Sequence, residues 1–460
     1  MTRFLVVTAV ATALAGCAMV GPDYARPATD LPAQFDAKGG SSETPALAAR
    51  WWTLYGDATL DELVRASLER NADLQLAAAR VEEADAVLRE AHAALVFPQV
   101  NGQVGATRGR VLGNTPPVGN AFVVGASTAF EVDVWGRLRR GQRAARENLL
   151  ATQYARDTVR ITLAATVART FFGIRALDAQ RKASQEILDA AVESLDLATK
   201  RADAGLVPAL DIYQAGSLKS TAAAQLKEVS RLRQALEHQL GVLTGRLDMK
   251  VEPGELTSLP IPPQPPAGLP SQLLERRPDV REAEARLASA TELVGVARGS
   301  QFPTLSLTAA FGVANPQIED LFTTGSRFWS VGAGLVGPIL DGGRNAARTD
   351  QAAARAKQAE AAYQGTVRDA FRDVADALSN VQLAGATEVD LQDLVAQAKE
   401  ALRLSRARYD SGYSPYLEVL DAQRTLNNAQ IQLIRNRQNY LSYTVDLMVA
   451  LGGGWDPALM

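Results

Sequence analysis

The sequence predicts an internally duplicated α+β membrane protein in which pairs of strands alternate with very long helices. Three observations predict this class: a pattern that occurs twice, strand-like segments with one apolar face, and two long stretches without proline. The chain has 460 residues, a net charge of −3 and only 6% aromatic residues. This composition favours long helices over a thick globular core and gives no basic excess that would indicate nucleic-acid binding.

The duplication is visible in two separate blocks of sequence. Both keep the same order and nearly the same offset along the chain, which makes coincidence a poor explanation. The blocks are LERNAD at 68–73 with LERRPD at 274–279, and RADAG at 201–205 with RYDSG at 408–412.

These blocks divide the chain into a first repeat, residues 57–250, and a second repeat, residues 271–452. A proline-rich stretch, residues 251–270, cannot continue a helix and is interpreted as an extended linker that crosses between the repeats. Residues 453–460 form a C-terminal tail.

Each repeat contains two segments in which apolar and polar residues alternate. The predicted strands cover residues ~98–108 and ~121–135 in the first repeat, and ~303–312 and ~327–340 in the second. Alternation gives each strand one apolar face, and the lengths suit tilted transmembrane strands. A soluble sandwich is the alternative interpretation, but four strands are too few for a useful two-sheet core.

Open sheet edges are not tolerated in lipid, and bacterial barrels have at least about 8 strands. Because one chain supplies four strands, it must assemble with copies of itself. A homotrimer would form a 12-stranded β-barrel.

The long helices are predicted from two proline-free runs that begin near Arg137 and Arg344. At ~1.5 Å per residue each run would form a helix roughly 100 Å long. Narrow apolar stripes spaced near seven residues are typical of coiled-coil packing. We expect a hollow α-helical tunnel continuous with the strands. A solid coiled-coil rod is the alternative, but it does not explain the strands between the helices.

The N-terminus has the features of a bacterial export signal. Residues 1–16 combine Arg3 with an apolar run that is too short to span a bilayer. This run ends just before Cys17, the chain's only cysteine, in a pattern that resembles a lipobox. We expect Cys17 to carry a diacylglycerol and an N-acyl chain, followed by an extended lipidated segment over residues 17–56. With 2 histidines and 1 cysteine, the sequence predicts no metal, no other cofactor and no enzymatic activity.

Six motifs spread along the chain carry a family resemblance. Together they resemble the TolC family of outer-membrane efflux proteins, in particular its lipoprotein branch of OprM- and NodT-type factors. The motifs are VGPDY at 20–24, WWTLYGD at 51–57, LERRPD at 274–279, DGGR at 341–344, YLEVLDAQR at 416–424 and LGGGW at 451–455.

The resemblance implies a homotrimer with a β-barrel in the outer membrane of a Gram-negative bacterium and a helical tunnel in the periplasm. It also implies docking to a periplasmic adaptor (a membrane fusion protein) and to an inner-membrane pump of the RND type. Such a channel would conduct drugs or other small molecules passively.

The long helices reverse direction at two tips, where Gly205 and Pro208, and Gly412 and Pro415, lie in the turns. We expect these tips far from the barrel. Beyond the second tip, Leu417 and Asp421 are four residues apart and share a helix face.

Three-fold symmetry would repeat Leu417 into an apolar ring and Asp421 into an acidic ring. The resembled family has its periplasmic gate at these motif positions, and Tyr409 and Arg424 are candidates for tying the closed tips together. The plainer interpretation is that Leu417 packs in a helix seam and that Asp421 is a solvated charge.

Two other functions stay open from the sequence. The chain could be an outer-membrane exit duct for proteins or peptides, or a periplasmic helical scaffold without a pore. The sequence does not identify the exported substrate.

Overall fold

A computed structural model describes residues 19–29, 32, 49–110, 118–263 and 275–455. The predicted signal peptide, Cys17 and residues 264–274 of the linker and the second repeat lie outside these ranges. The chain divides into two compact units. Unit 1 is built from residues 1–29, 79–154 and 281–365, and unit 2 from residues 30–78, 155–280 and 366–460.

Among the described residues, both repeats contain the same series of elements: a helix, two strands, a long helix, a tip and a further helix. The first repeat has one additional helix before this series. The first repeat contains α1 (Ala58–Arg70), α2 (Ala72–Val96), β1 (Gln99–Arg110), β2 (Val118–Val132), α3 (Arg137–Asp203) and α4 (Ala209–Thr244). The second contains α5 (Pro278–Gly299), β3 (Thr304–Asn315), β4 (Arg327–Val336), α6 (Arg344–Asp410) and α7 (Tyr416–Ala450).

The two long helices, α3 and α6, each contain 67 residues. A carboxylate three or four residues before each helix accepts hydrogen bonds from free backbone N–H groups of the first turn. Asp133 accepts from the N–H groups of Leu138 at 3.0 Å and Arg139 at 2.9 Å. Asp341 accepts from the N–H of Asn345 at 3.0 Å. Asp133 and Asp341 therefore mark the starts of the two long helices.

The four strands form one antiparallel sheet in the order β1-β2-β3-β4. Val104 pairs with Val124, Phe130 pairs with Leu307, and Leu307 pairs with Ala333. Residues two apart share a face of a strand. This register therefore places the predicted apolar faces of all four strands on the same side of the sheet. We call this side the apolar sheet face.

The strand ends differ from the predicted ends in ways that the pairing explains. β1 extends to Arg110 and β3 to Asn315, because both continue to find hydrogen-bonded partners on β2. β2 begins at Val118 and ends at Val132, before Asp133, which caps α3. β4 ends at Val336 instead of residue 340, because Pro338 follows and lacks the N–H that a ladder requires.

Unit 2 holds the main hydrophobic core. The Tyr55 ring lies 4.9 Å from that of Phe172 on α3, and its hydroxyl hydrogen-bonds Thr444 of α7 at 2.8 Å. Trp51 is 1% exposed. Residues 51–55 form a short 3-10 helix, so the prediction of an extended segment through residue 56 was wrong here. The helix forms because its aromatic side chains are buried and Gly56 takes a left-handed conformation (φ 63°) that ends it.

The described part of the linker, residues 251–263, is tied to the helices of unit 2. Arg233 of α4 donates to the carbonyl of Val251 at 2.6 Å, and the N–H of Gly254 donates to Asp178 of α3 at 3.1 Å. A short 3-10 helix, Leu256–Ser258, interrupts the predicted extended course because it buries Leu256.

Among the residues that the structure describes, none of the helices is long and apolar enough to cross a membrane.

Candidate functional site

The chain reverses direction at both tips through the same backbone geometry. Gly205 (φ 69°) donates to the carbonyl of Ala202 at 2.9 Å, and Gly412 (φ 76°) donates to that of Tyr409 at 3.0 Å. The next residue in each tip donates back across the last helical turn, which is the Schellman arrangement. Pro208 and Pro415 then precede α4 and α7 in extended conformation. The four predicted turn residues therefore occupy equivalent positions in the two tips.

Tyr409 links the two tips within the chain. It is 8% exposed and its hydroxyl donates to the Asp211 carboxylate at 3.2 Å. Its ring lies 5.1 Å from that of Tyr416. Burial, and then the neighbouring Asp211 charge, raise the pKa of Tyr409 above its ordinary value. The phenol therefore stays neutral and donates a hydrogen bond to the carboxylate.

Arg201 of the first tip completes this contact. Its guanidinium carbon lies 5.1 Å from the centre of the Tyr409 ring, within the range of a cation–π interaction. The same guanidinium approaches the Asp410 carboxylate at 3.4 Å. Four helices, α3, α4, α6 and α7, thus meet at the Tyr409 ring.

Leu417 of α7 and Leu210 of α4 lie at equivalent positions of the two repeats. They are 61% and 60% exposed, and they line the same open groove together with Tyr213 and Gln214. Large apolar side chains in such exposed positions are available to a neighbouring molecule or to a channel lumen. The structure therefore brings the two equivalent leucines to one groove.

Asp421 and Arg424 form an ion pair within α7, with 2.9 Å between Nη2 and Oδ1. Both side chains are largely exposed, at 66% and 75%. Arg424 also lines the groove that contains Leu417. Its ion pair is with its own helix, whereas the contact between tips comes from Tyr409. The roles of these residues in gating stay predictions.

Two tip residues were missed by the sequence reasoning. Asp211 is 9% exposed and accepts from Tyr409, and Arg201 covers the same ring. The signal in the sequence was slight: both lie in the first tip, next to Gly205 and Pro208. Within the described ranges, no cluster of His, Cys, Asp and Glu could hold a metal ion.

The apolar sheet face in unit 1 is most exposed on the edge strands β1 and β4, whereas its residues on β2 are half-buried. Val104 is 83% exposed, Phe311 66%, and Trp329 and Val331 79% and 77%. The opposite face carries polar and small residues such as Gln103, Ser127 and Gly332. An antiparallel sheet with an uncovered apolar face and a polar reverse is the arrangement that a lipid-facing barrel wall requires.

Paired helix tips and a sheet with a lipid-type face define a class: subunits of an outer-membrane channel that combines a β-barrel with long helices. The chain belongs to the outer membrane efflux protein family, whose model matches residues 63–246 and 269–453. The two matches fall on the two repeats. The predicted family resemblance is confirmed, whereas the finer domain boundaries stay predictions.

Several characterised relatives are similar over nearly the whole chain. The solvent efflux pump outer membrane protein SrpC of Pseudomonas putida is 35% identical over 457 residues, with 96% of each chain covered. The outer membrane protein OprJ of Pseudomonas aeruginosa is 34% identical, with 97% of this chain and 95% of OprJ covered. The cation efflux system protein CusC of Escherichia coli is 34% identical, with 97% of each covered.

Solved structures agree with this assignment. A membrane protein from Pseudomonas aeruginosa matches with a TM-score of 0.87 and 33% identity, covering 95% of this chain and 98% of that one. The outer-membrane channel OprN matches with a TM-score of 0.87 and 28% identity, covering 95% and 100%. The chain is therefore an outer-membrane efflux channel protein of a Gram-negative bacterium, and it extends into the periplasm.

Proposed function

We propose that the chain forms a homotrimer whose twelve strands close into one β-barrel above an α-helical tunnel. The observation that carries this proposal is the strand register, which aligns the apolar faces of the four strands on one side of the sheet. The strand order leaves β1 and β4 as the sheet edges. Unpaired edges are excluded from the hydrocarbon region, so each edge requires a strand from another copy.

Covalent lipid on Cys17 is the second part of the proposal. It is supported by the lipobox-like end of the signal and by the position of the cysteine just before VGPDY. Acyl chains would add membrane affinity to that of the barrel. Beyond this lipid, the proposed channel contains no cofactor. Mass spectrometry of the mature N-terminus tests this, and an unmodified cysteine would contradict it.

We further propose that the channel works with a periplasmic adaptor and an inner-membrane RND-type pump. The relatives support this by their names, which describe an outer membrane protein of a solvent efflux pump and a protein of a cation efflux system. The cargo proposed here is small molecules such as drugs or solvents. The alternative of protein or peptide export has no support in these names.

The gate is proposed at the tips. Leu417 would provide an apolar constriction, and Asp421 would repeat around the axis as an acidic ring that favours cations. Tyr409, held by Asp211 and Arg201, supports the gate by joining the tips within each protomer. Opening would then require this buried contact to separate, while the exposed Arg424–Asp421 pair adds little.

Single-channel recording tests the proposal directly. Purified protein should be trimeric by native mass spectrometry and should give small, cation-favouring currents in planar bilayers. A folded protein that is monomeric in every detergent tested, or that never conducts, contradicts the proposed assembly. Co-purification of an adaptor from the native membrane tests the partner assignment separately.

A further inference from the structure

Three arginines interrupt the apolar sheet face at the end where the strands are joined by loops. Arg108 and Arg110 follow Val104 and Ala106 on the same face of β1. Arg327 begins β4 and pairs with Val313, a residue of the apolar sheet face on β3. We call these three residues the rim arginines.

The rim arginines carry uncompensated charge. All three are exposed, and none of them forms an ion pair with another residue of the described chain. Their cross-strand partners are uncharged: Asn120 and Val118 face Arg108 and Arg110, and Val313 faces Arg327. A cationic group on a lipid-type face needs either water or an anionic partner.

The position of the rim arginines defines which part of the membrane they meet. The opposite strand ends continue into α2, α3, α5 and α6, and in this family the helices extend into the periplasm. The loop end of the sheet is therefore the outer end. Arginine on the lipid face of a barrel is strongly unfavourable at the midplane but tolerated near the interface. These residues therefore lie at the level of the outer-leaflet headgroups.

Barrel closure would gather the charges, a step that rests on the proposed trimer. β1 and β4 are the two edges of one protomer's sheet. In a closed barrel, β4 of one protomer lies beside β1 of the next, and both carry their arginines at the same end and on the same face. Each seam would then present three guanidinium groups above Val104, Trp329 and Val331.

We propose that each of these seams binds the headgroup of a phosphorylated glycolipid of the outer leaflet. Guanidinium groups bind phosphate oxygens through paired hydrogen bonds, so the rim arginines match the phosphates. The acyl chains of the same lipid would lie on the exposed apolar residues directly below. One amphipathic ligand thus satisfies both the charge and the apolar surface, which a free phosphate ion does not.

The test uses the full-length channel in detergent with added lipid A that carries two phosphates. Native mass spectrometry reports both the trimer and the glycolipid it retains. The variant R108Q/R110Q/R327Q should bind this lipid about tenfold more weakly than the wild type, since each arginine near an anionic surface contributes to attraction. The variant R108K/R110K/R327K should keep most of the binding because it keeps the charge.

A matched control removes three exposed arginines of α6 in R348Q/R355Q/R368Q. It should bind diphosphorylated lipid A like the wild type, and both glutamine variants should keep wild-type conductance. Equal lipid retention by R108Q/R110Q/R327Q and the wild type would overturn the proposal. Displacement of the lipid by millimolar inorganic phosphate would also overturn it and indicate a free-phosphate site.

The same spectra separate this proposal from the proposed assembly. A wild-type chain that is monomeric contradicts the trimer itself. A trimer whose glycolipid binding does not depend on the rim arginines contradicts only the proposed glycolipid site.

Discussion

The two tips share a backbone but differ in the side chains that act on it. Each closes through a glycine in left-handed conformation and a following proline, and each exposes an equivalent leucine, Leu210 or Leu417. The second tip adds Tyr409 where the first has Ala202, and Asp421 where the first has Gln214. Duplication therefore preserved the turn, while the contact between the tips depends on Tyr409, which only the second copy has.

The contact between the tips combines residues of both copies. Tyr409 comes from the second repeat, and its partners Asp211 and Arg201 come from the first. The counterparts of these partners, Glu418 and Arg408, instead approach each other at 3.7 Å on an exposed surface. We expect the buried contact to contribute more than the exposed one, because solvent screens exposed ion pairs.

The largest expected effect is on leak conductance, and it distinguishes the second tip from the first as the position of the gate. Leu417→Ala with Asp421→Ala should raise the leak conductance of the trimer at least about threefold, because it removes both proposed rings. The matched control, Leu210→Ala with Gln214→Ala, should leave conductance nearer the wild-type value. Planar-bilayer recording measures both. Equal conductance of the first variant and the wild type, in well-folded protein, removes the gate from these residues.

A second variant tests the contact between the copies. Tyr409→Phe keeps the ring under Arg201 but leaves the buried Asp211 carboxylate without its donor, which should cost about 1–3 kcal/mol. Amide hydrogen exchange in residues 201–215 should accelerate accordingly. Tyr413→Phe is the control, since Tyr413 is 80% exposed and its loss should change little. Unchanged exchange in Tyr409→Phe would show that the hydrogen bond does not hold the tips together.

Alkaline pH should act through the same phenol. Because the pKa of Tyr409 is raised above the ordinary 10.0, the folded tip retains its proton more strongly than the unfolded chain. Its contribution is therefore complete below pH 10 and is lost as the pH rises through the raised pKa.

Hydrogen exchange measured at rising pH, corrected for the intrinsic rate, should show tip protection falling above about pH 10. The fall should be smaller in Tyr409→Phe, which has no proton to lose. Burial also raises the pKa of Tyr416, so Tyr416→Phe serves as the comparison variant. Identical alkaline curves for the wild type and Tyr409→Phe would contradict the role of Tyr409.

The smallest effect concerns Arg424. Its pair with Asp421 is exposed and lies within one helix, so Arg424→Gln should change the free energy of unfolding by no more than about 0.5 kcal/mol. Denaturant unfolding of the solubilised protein measures this. A loss comparable with that in Tyr409→Phe would mean that Arg424 acts in the assembled trimer as a tie between tips, as the sequence first suggested.

Much of the fold was predictable because it depends on local patterns. Proline-free runs gave α3 and α6 within one residue at their ends, and alternation gave all four strands. The strand ends were less accurate, since pairing with β2 extends β1 and β3 past the point where alternation weakens. The 3-10 helix at residues 51–55 was missed because burial of its aromatic side chains, which no local pattern reveals, stabilises it.

The sequence by itself determined the duplication, the helix lengths, the turn residues and the apolar side of each strand, because each depends on residues close together in the chain. Only the tertiary structure decided the register that joins the apolar faces of the four strands into one, since alternation cannot tell which residues of two strands pair. It also decided that Tyr409 contacts Asp211 and Arg201, which are both about two hundred residues away in the chain. Contacts between distant residues depend on how whole elements pack, and a single sequence carries no local trace of that packing.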